Sequence, residues 1–285
     1  MGNDAQVLDS IKAQRDLTPA RFVARAAAGV PAVLRCAAQF KNWDALLKLY
    51  VRPRQLEQPF VARGRAGFSV THWEPSDVQT TFAVFCARDY HLPRGADVVL
   101  DLGANIGVFS VYAAKVMGAR RVVALEPVSA TFRRLEHNLS ANQLDGAVTA
   151  VPKGIGGADG TRKIYLGVTS PFSSLYYRGN PNAESGETED VDIVTLDQLL
   201  RDLSLDRVDV CKMDCEGAEV EALLAADDDV LRRIKVLTME YHFPRREGSQ
   251  ERISNREAFF GRLERAGFVK TWEARRGTRA TFVRN

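Results

Sequence analysis

Two short stretches of this chain set acidic, basic and glycine residues at spacings that can do chemistry. The first, Asp101-Leu-Gly-Ala-Asn-Ile-Gly107, comes after an apolar run from Val98 to Leu102 and opens a helical pattern over Val108 to Met117. A buried strand, a tight turn and a helix N-terminus together hold nucleotide-like ligands. Here Gly103, Ala104, Asn105 and Gly107 form the turn. The spacing departs from the G-x-G-x-x-G of pyrophosphate binders, since Asp101 precedes the first glycine and the middle one is missing. A carboxylate at that point repels a pyrophosphate and attracts a cation. S-adenosylmethionine, with its ammonium and sulfonium, fits better than a nicotinamide dinucleotide. Taken alone, the turn is equally an ordinary strand-to-helix connection.

Residues further along the chain tip the balance. Arg121 to Glu126 reads as a second strand ending in a carboxylate nineteen residues after Gly107, with Pro127 next. That is where an acidic side chain accepts both ribose hydroxyls of an adenosine. The loop Lys153-Gly-Ile-Gly-Gly lies beyond a third strand, Ala147 to Val151, and brings Gly154 and Ile155 towards an adenine ring. In the second stretch, Val208 to Asp214 is a strand whose period of two sets Lys212 and Asp214 on one side. The strand Ile234 to His242 likewise sets Glu240 and His242 on one side. Both strands end at the sheet edge where open α/β sheets bind ligands.

Methyl transfer from a sulfonium is an in-line displacement that gains most from alignment in a dry pocket, and a hydroxyl acceptor also needs a base. His242 has the reference pKa closest to neutral, and Asp214 and Glu240 are the other candidates. Lys212 neutralises a carboxylate or positions the substrate. Two other readings compete. Asp214 is also a potential helix cap, with Glu216 and Glu219 serving the helix dipole. Asp214, Glu240 and His242 could hold a divalent metal, yet three residues over two strands make no recognisable metal motif, so no metal is expected. Cys211 and Cys215 lack further ligands for zinc and read as buried thiols.

In chain order, the elements that position these groups begin with residues 1–70. These form a helical N-terminal extension, with apolar residues at helical spacing at Val7, Leu8 and Ile11 and again at Leu46, Leu47 and Tyr50. It serves as packing, a substrate cap or a contact in a possible homodimer. Phe60 to Trp73 reads as a hairpin and Asp77 to Arg88 as a helix. Ser129 is the expected N-cap of a helix to Asn142, Gly160 to Leu166 is a strand, and residues 167–190, with Phe172, Tyr176 and Tyr177, are a loop or lid. Thr195 to Leu203 and Asn255 to Ala266 are helices. Phe268 to Ala274 and Thr278 to Val283 close the chain as a hairpin carrying Arg275, Arg276 and Arg279 at its turn, a solvated tip more readily than an anion site.

Composition narrows the class. With 45% hydrophobic and 26% charged residues the chain is an ordinary globular protein, and a net charge of +3 without a basic stripe argues against a nucleic-acid partner. The longest apolar run, Ala26 to Leu34, is too short and too interrupted for a membrane span. Four cysteines without a pairing pattern and no visible signal peptide point to the cytoplasm.

With both stretches in view, the chain resembles the FkbM family of S-adenosylmethionine-dependent methyltransferases. Asp101 to Ser110 resembles that family's cofactor turn, Glu126-Pro127 its acidic second strand, Lys212-Met-Asp-Cys-Glu-Gly-Ala-Glu219 its second signature and Met239-Glu-Tyr-His242 its fifth-strand ending. The resemblance spans roughly Asp77 to Val283. It implies a methyltransferase domain over 71–285 with the Rossmann-like class I fold, an α/β, doubly wound, mostly parallel sheet of seven strands with the last antiparallel. It also implies methylation of a small-molecule hydroxyl (sugar, polyketide or other secondary metabolite), a carboxylate in some members. A non-catalytic binding protein that kept the fold is the rival from another class.

Overall fold

The structure is a computed structural model that describes residues 30–53, 55–90, 93–167, 173–176, 184–243, 256–274 and 278–284. The helical positions at Val7, Leu8 and Ile11 lie outside the described residues, as do Phe172, Tyr177, Arg275 and Arg276.

Seven strands form the main sheet. They are β3 (Val98–Leu102), β4 (Arg121–Leu125), β5 (Val148–Val151), β9 (Val208–Met213), β10 (Ile234–Glu240), β11 (Phe268–Glu273) and β12 (Arg279–Arg284), in the order β11-β12-β10-β9-β3-β4-β5. β5, β4, β3, β9 and β10 are parallel, and β12 runs antiparallel to β10 and β11. This is the expected class I methyltransferase sheet. The chain winds outward from β3 in one direction and returns on its other side, so a crevice opens at the carboxyl ends of β3, β4 and β9.

Alternation along the strands divides the core into two layers. Val99, Val122, Val210 and Val236 face one side, and Leu100, Leu102, Cys211, Met213 and Leu237 face the other. Asp101 and Lys212 therefore share the Val99 side, and they are register partners across β3 and β9. On that side pack α4 (Val108–Lys115), the hairpin of β1 (Phe60–Arg63) and β2 (Ser69–His72), and α1 and α2, which cover residues 30–39 and Trp43–Val51. Phe40, Phe68 and Phe85 meet edge-to-face or stacked, and Phe85 also meets Tyr112. The described part of the N-terminal extension thus shares one core with the sheet, and residue 70 lies within β2.

Three local readings change. The helix expected from Asp77 begins earlier, as α3 (Pro75–Thr81), because Glu74 and Asp77 form a reciprocal capping box around its first turn. It then runs on as a π-helix over Phe82–Ala87 that stops at Arg88 in left-handed backbone. The N-cap of α5 (Ser129–Ala141) is Val128, and the Ser129 hydroxyl bonds Glu189 instead. The loop expected over 167–190 ends sooner, because β8 (Glu184–Val194) pairs antiparallel with β7 (Gly160–Gly167). Val191, Ile193 and Val194 are its buried positions, and the acidic residues before and between the first two hid the alternation. With β6 (Gly154–Ile155) these two strands make a separate three-stranded sheet against the main one.

The remaining helices are α6 (Leu196–Asp202), α7 (Ala218–Ala225), α8 (Asp228–Arg233) and α9 (Arg256–Arg265). Among the described residues no helix is long and apolar enough to cross a membrane.

Candidate active site

A cleft opens where the sequence places the chemistry, at the carboxyl ends of β3, β4 and β9. Gly103, Ala104 and Asn105 form one wall, Glu126 and Pro127 a second, Gly154 and Ile155 a third, and Lys212, Asp214 and Glu216 the fourth. These side chains come from segments more than a hundred residues apart, brought together by parallel strand ends.

The glycine turn is held closed by backbone geometry. Gly103 has φ +73°, and a Cβ there would sit 2.1 Å from the Asp214 carbonyl oxygen. No L side chain fits. Asn105 is also left-handed, at φ 49°, and its N–H donates to Glu126 Oε2 over 3.0 Å. The other Glu126 oxygen accepts the Val128 N–H, also at 3.0 Å. Burial pushes the Glu126 carboxyl up to about 7 despite those two donors, which favour the charged form.

Two residues of the turn do not reach the cleft. Gly107 has φ +84°, and a Cβ there would also meet the Leu135 side chain of α5 at 2.6 Å, so it seats α5 against the turn and lies outside the cleft lining. Asp101 is fully buried beneath the turn, where it accepts from the Ser110 hydroxyl at 2.7 Å and pairs with Lys212 at 3.1 Å. The cation it attracts is the protein's own ammonium, because Lys212 sits opposite it in the strand register. Lys212 also donates to the Gly103 carbonyl at 2.7 Å. Burial alone would lower the lysine pKa, but Asp101 and Asp214 more than offset it and hold Lys212 charged.

At the far end of the cleft Asp214 does not cap α7, whose N-cap is Gly217. Its Oδ2 accepts the Tyr90 hydroxyl at 2.7 Å. Tyr90 is buried, lies against Phe109, and is kept protonated by burial and by the Asp214 and Glu240 charges. The left-handed end of the π-helix at Arg88 delivers Asp89 and Tyr90 to this place.

His242 lies beside this group rather than in the cleft wall. Its Nδ1 is 3.1 Å from Glu219, and its Nε2 is 3.6 Å from Glu216 and 3.9 Å from Glu240. Glu219 is wholly buried and also accepts the backbone N–H groups of Gly217 and His242. Burial works to lower the imidazole pKa, yet the Glu219 hydrogen bond and the Glu219, Glu216 and Asp214 charges override it and raise it to about 10. The base expected at His242 is therefore a protonated imidazolium at neutral pH. Glu240 is tied to Arg279 at 2.6 Å, and Arg279 also pairs with Asp89. That arginine, expected at a solvated tip, is a structural tie.

Sequence reasoning missed Tyr90, Glu219 and Arg279 as parts of the site. Glu219 carried a readable signal, as a second glutamate just inside a helix whose start already held Glu216. Tyr90 and Arg279 carried none, since only the π-helix end and the β10–β12 register bring them in.

The fold and cleft define an α/β protein of the S-adenosylmethionine-dependent methyltransferase class. Comparison with known proteins agrees: residues 101–270 match the Methyltransferase FkbM domain. The chain belongs to that family. It is 32% identical over 212 residues to the AMB antimetabolite synthetase AmbE of Pseudomonas aeruginosa, a match covering 62% of this chain and 10% of that protein. It is 30% identical over 188 residues to Methyltransferase sdnD of Sordaria araneosa, covering 56% of this chain and 72% of that one. The chain thus spans only a tenth of the AmbE length. The crystal structure of Methyltransferase FkbM from Methylobacillus flagellatus KT is 16% identical, with a TM-score of 0.44, covering 90% of this chain and 58% of that one.

Proposed function

We propose that the protein transfers the methyl group of S-adenosylmethionine to a hydroxyl oxygen of a small molecule, a sugar, polyketide or other secondary metabolite. The observation that carries this reading is Asp214: it lines the cleft, and Tyr90 holds one of its oxygens while the other can receive a proton. In this scheme Glu126 accepts the ribose hydroxyls, Pro127, Gly154 and Ile155 border the adenine, and the Gly103–Asn105 backbone lies along the amino-acid part. The acceptor's O–H proton passes to Asp214, a C–O bond forms, and the S–C bond breaks to leave S-adenosylhomocysteine.

One observation supports a hydroxyl over a carboxylate acceptor. Asp214 and Glu216 line this end of the cleft, so an anionic acceptor would meet like charge there while no ion is bound. AmbE, by its name an antimetabolite synthetase, supports an acceptor from secondary metabolism. Residues 1–70 contribute to acceptor choice in this reading, since α1, α2 and the hairpin share a core with Val84, which borders the cleft.

The test is transfer of a labelled methyl group to hydroxylated and carboxylated acceptors, alongside calorimetric titration with S-adenosylhomocysteine. Asp214→Asn is expected to lower kcat by about 10²- to 10⁴-fold with the product's affinity retained. Unchanged turnover in that variant would remove Asp214 from its role. Folded wild type that binds no S-adenosylhomocysteine would remove the methyltransferase reading and favour a non-catalytic binding protein.

A further inference from the structure

At the acceptor end, oxygens of Asp214 and Glu216 and a ring nitrogen of His242 all lie within 4.8 Å of one another. Ligands on one ion, each about 2.0–2.2 Å from it, are separated by about 3–4 Å, and the 3.6 Å between His242 Nε2 and Glu216 falls in that range. Two of the three donors are aimed from behind. The buried Glu219 takes Nδ1 of His242, the carboxylate–histidine arrangement that turns Nε2 outward as a ligand. Tyr90 fixes one Asp214 oxygen and thereby the direction of the other.

Charge points the same way. Asp214, Glu216, Glu219 and Glu240 lie around one imidazole, while Arg279 is shared between Asp89 and Glu240 and Lys212 is committed to Asp101. Among the described residues these carboxylates outnumber the cations that face them. Asp214 and Glu216 also line the cleft, so an ion between them would border the space an acceptor enters.

We propose that Asp214, Glu216 and His242 hold a divalent transition-metal ion at the acceptor end of the cleft, with open coordination positions facing an acceptor oxygen. Two carboxylate oxygens and one imidazole suit Mn²⁺ or Zn²⁺. The ion replaces the imidazolium proton as counter-charge and occupies the Asp214 oxygen that is otherwise the base. With the ion bound, the acceptor oxygen, oriented and polarised by it, loses its proton to water instead. The proposed ligand set differs from the one weighed and set aside in the sequence, with Glu216 in place of Glu240 and side chains from two loops converging where the strand pattern showed no motif. The ion's role in catalysis rests on the methyl-transfer reading, whereas its binding does not.

The test uses the full chain, cleared of metal with a chelator and then titrated with Mn²⁺ while the paramagnetic resonance of the free ion is monitored. Zn²⁺ competition and S-adenosylhomocysteine calorimetry run in parallel. One Mn²⁺ per chain is expected, displaced by Zn²⁺. Glu216→Gln and His242→Ala are expected to weaken Mn²⁺ binding by about 10- to 100-fold with S-adenosylhomocysteine affinity unchanged, which also shows that the variants are folded. Wild type that binds S-adenosylhomocysteine but neither ion overturns the metal site, as does Mn²⁺ binding that survives in both variants. Ion binding without S-adenosylhomocysteine binding upholds the site and overturns the methyltransferase reading instead.

Discussion

An ammonium buried between Asp101 and the Gly103 carbonyl has no water to replace its partners, and neither has the carboxylate opposite it. Removing one member of such a pair leaves a bare buried charge. Lys212→Met is therefore expected to cost about 3–5 kcal/mol in urea unfolding, with much of the loss recovered when Asp101→Asn is added. Recovery that fails would mean Lys212 acts mainly through the Gly103 carbonyl. At Glu126, burial sets a carboxyl that titrates near neutrality, at about 7. In the proposed complex the ribose hydroxyls donate to its ionised form, so binding favours the carboxylate and releases a proton when the free group is protonated. S-adenosylhomocysteine affinity is then expected to fall as pH drops through about 7 towards 6, by up to about tenfold per pH unit, and to level off above pH 8. Calorimetry across that range checks this, and Glu126→Gln should bind weakly with a flat profile.

At the scale of single elements, the turn after β3 is the part that tolerates no change. Two glycines separate conformational strain from steric exclusion. Gly67 and Gly103 have similar φ values, +80° and +73°, but only Gly103 faces a backbone oxygen, the Asp214 carbonyl, where its Cβ would be. Gly67→Ala is expected to cost about 1 kcal/mol from backbone strain alone. Gly103→Ala must also move β3 away from the β9 loop, so it should cost clearly more and abolish S-adenosylhomocysteine binding. Equal losses of stability in the two variants, with binding intact, would show that the turn yields. The π-helical end of α3 works by the same logic. Its extra residue per turn sets where Asp89 and Tyr90 emerge, and π-turns recur at functional sites for that reason.

For the whole molecule, the small β6–β8–β7 sheet is a second body resting on the first. Ile164 of β7, with Ser173 and Leu175 from the segment after it, borders the cleft. The connection to the main sheet includes Glu221 of α7, which accepts the Arg162 guanidinium at 2.5 Å and the Tyr176 hydroxyl at 2.7 Å. Glu221→Ala is expected to raise the S-adenosylhomocysteine dissociation rate by about three- to tenfold with little change in melting temperature. Hydrogen exchange should lose protection in β7 and β8 and keep it in β3. A variant that loosens the main sheet equally would show that the two sheets open together.

How much of this was legible in the chain depends on how local the determining force is. Strand runs, the left-handed turn at Gly103 to Gly107, the carboxylate at Glu126 and the paired polar positions 212/214 and 240/242 were readable, because alternation, turn sterics and burial act over a few residues. The seven-stranded, doubly wound sheet with its last strand antiparallel came with the family resemblance to these same motifs. The partners of those groups were not readable. Asp101 took Lys212 rather than a ligand through a register between β3 and β9, and His242 took Glu219 and Glu216 across two loops. Tyr90 reached Asp214 across 124 positions of sequence because a π-helix ended where it did. Charge pairing and pKa depend on a few ångströms of separation and on loss of water. Sequence spacing determines which face and which end of a strand a residue occupies, and only the folded chain decides which charges meet there.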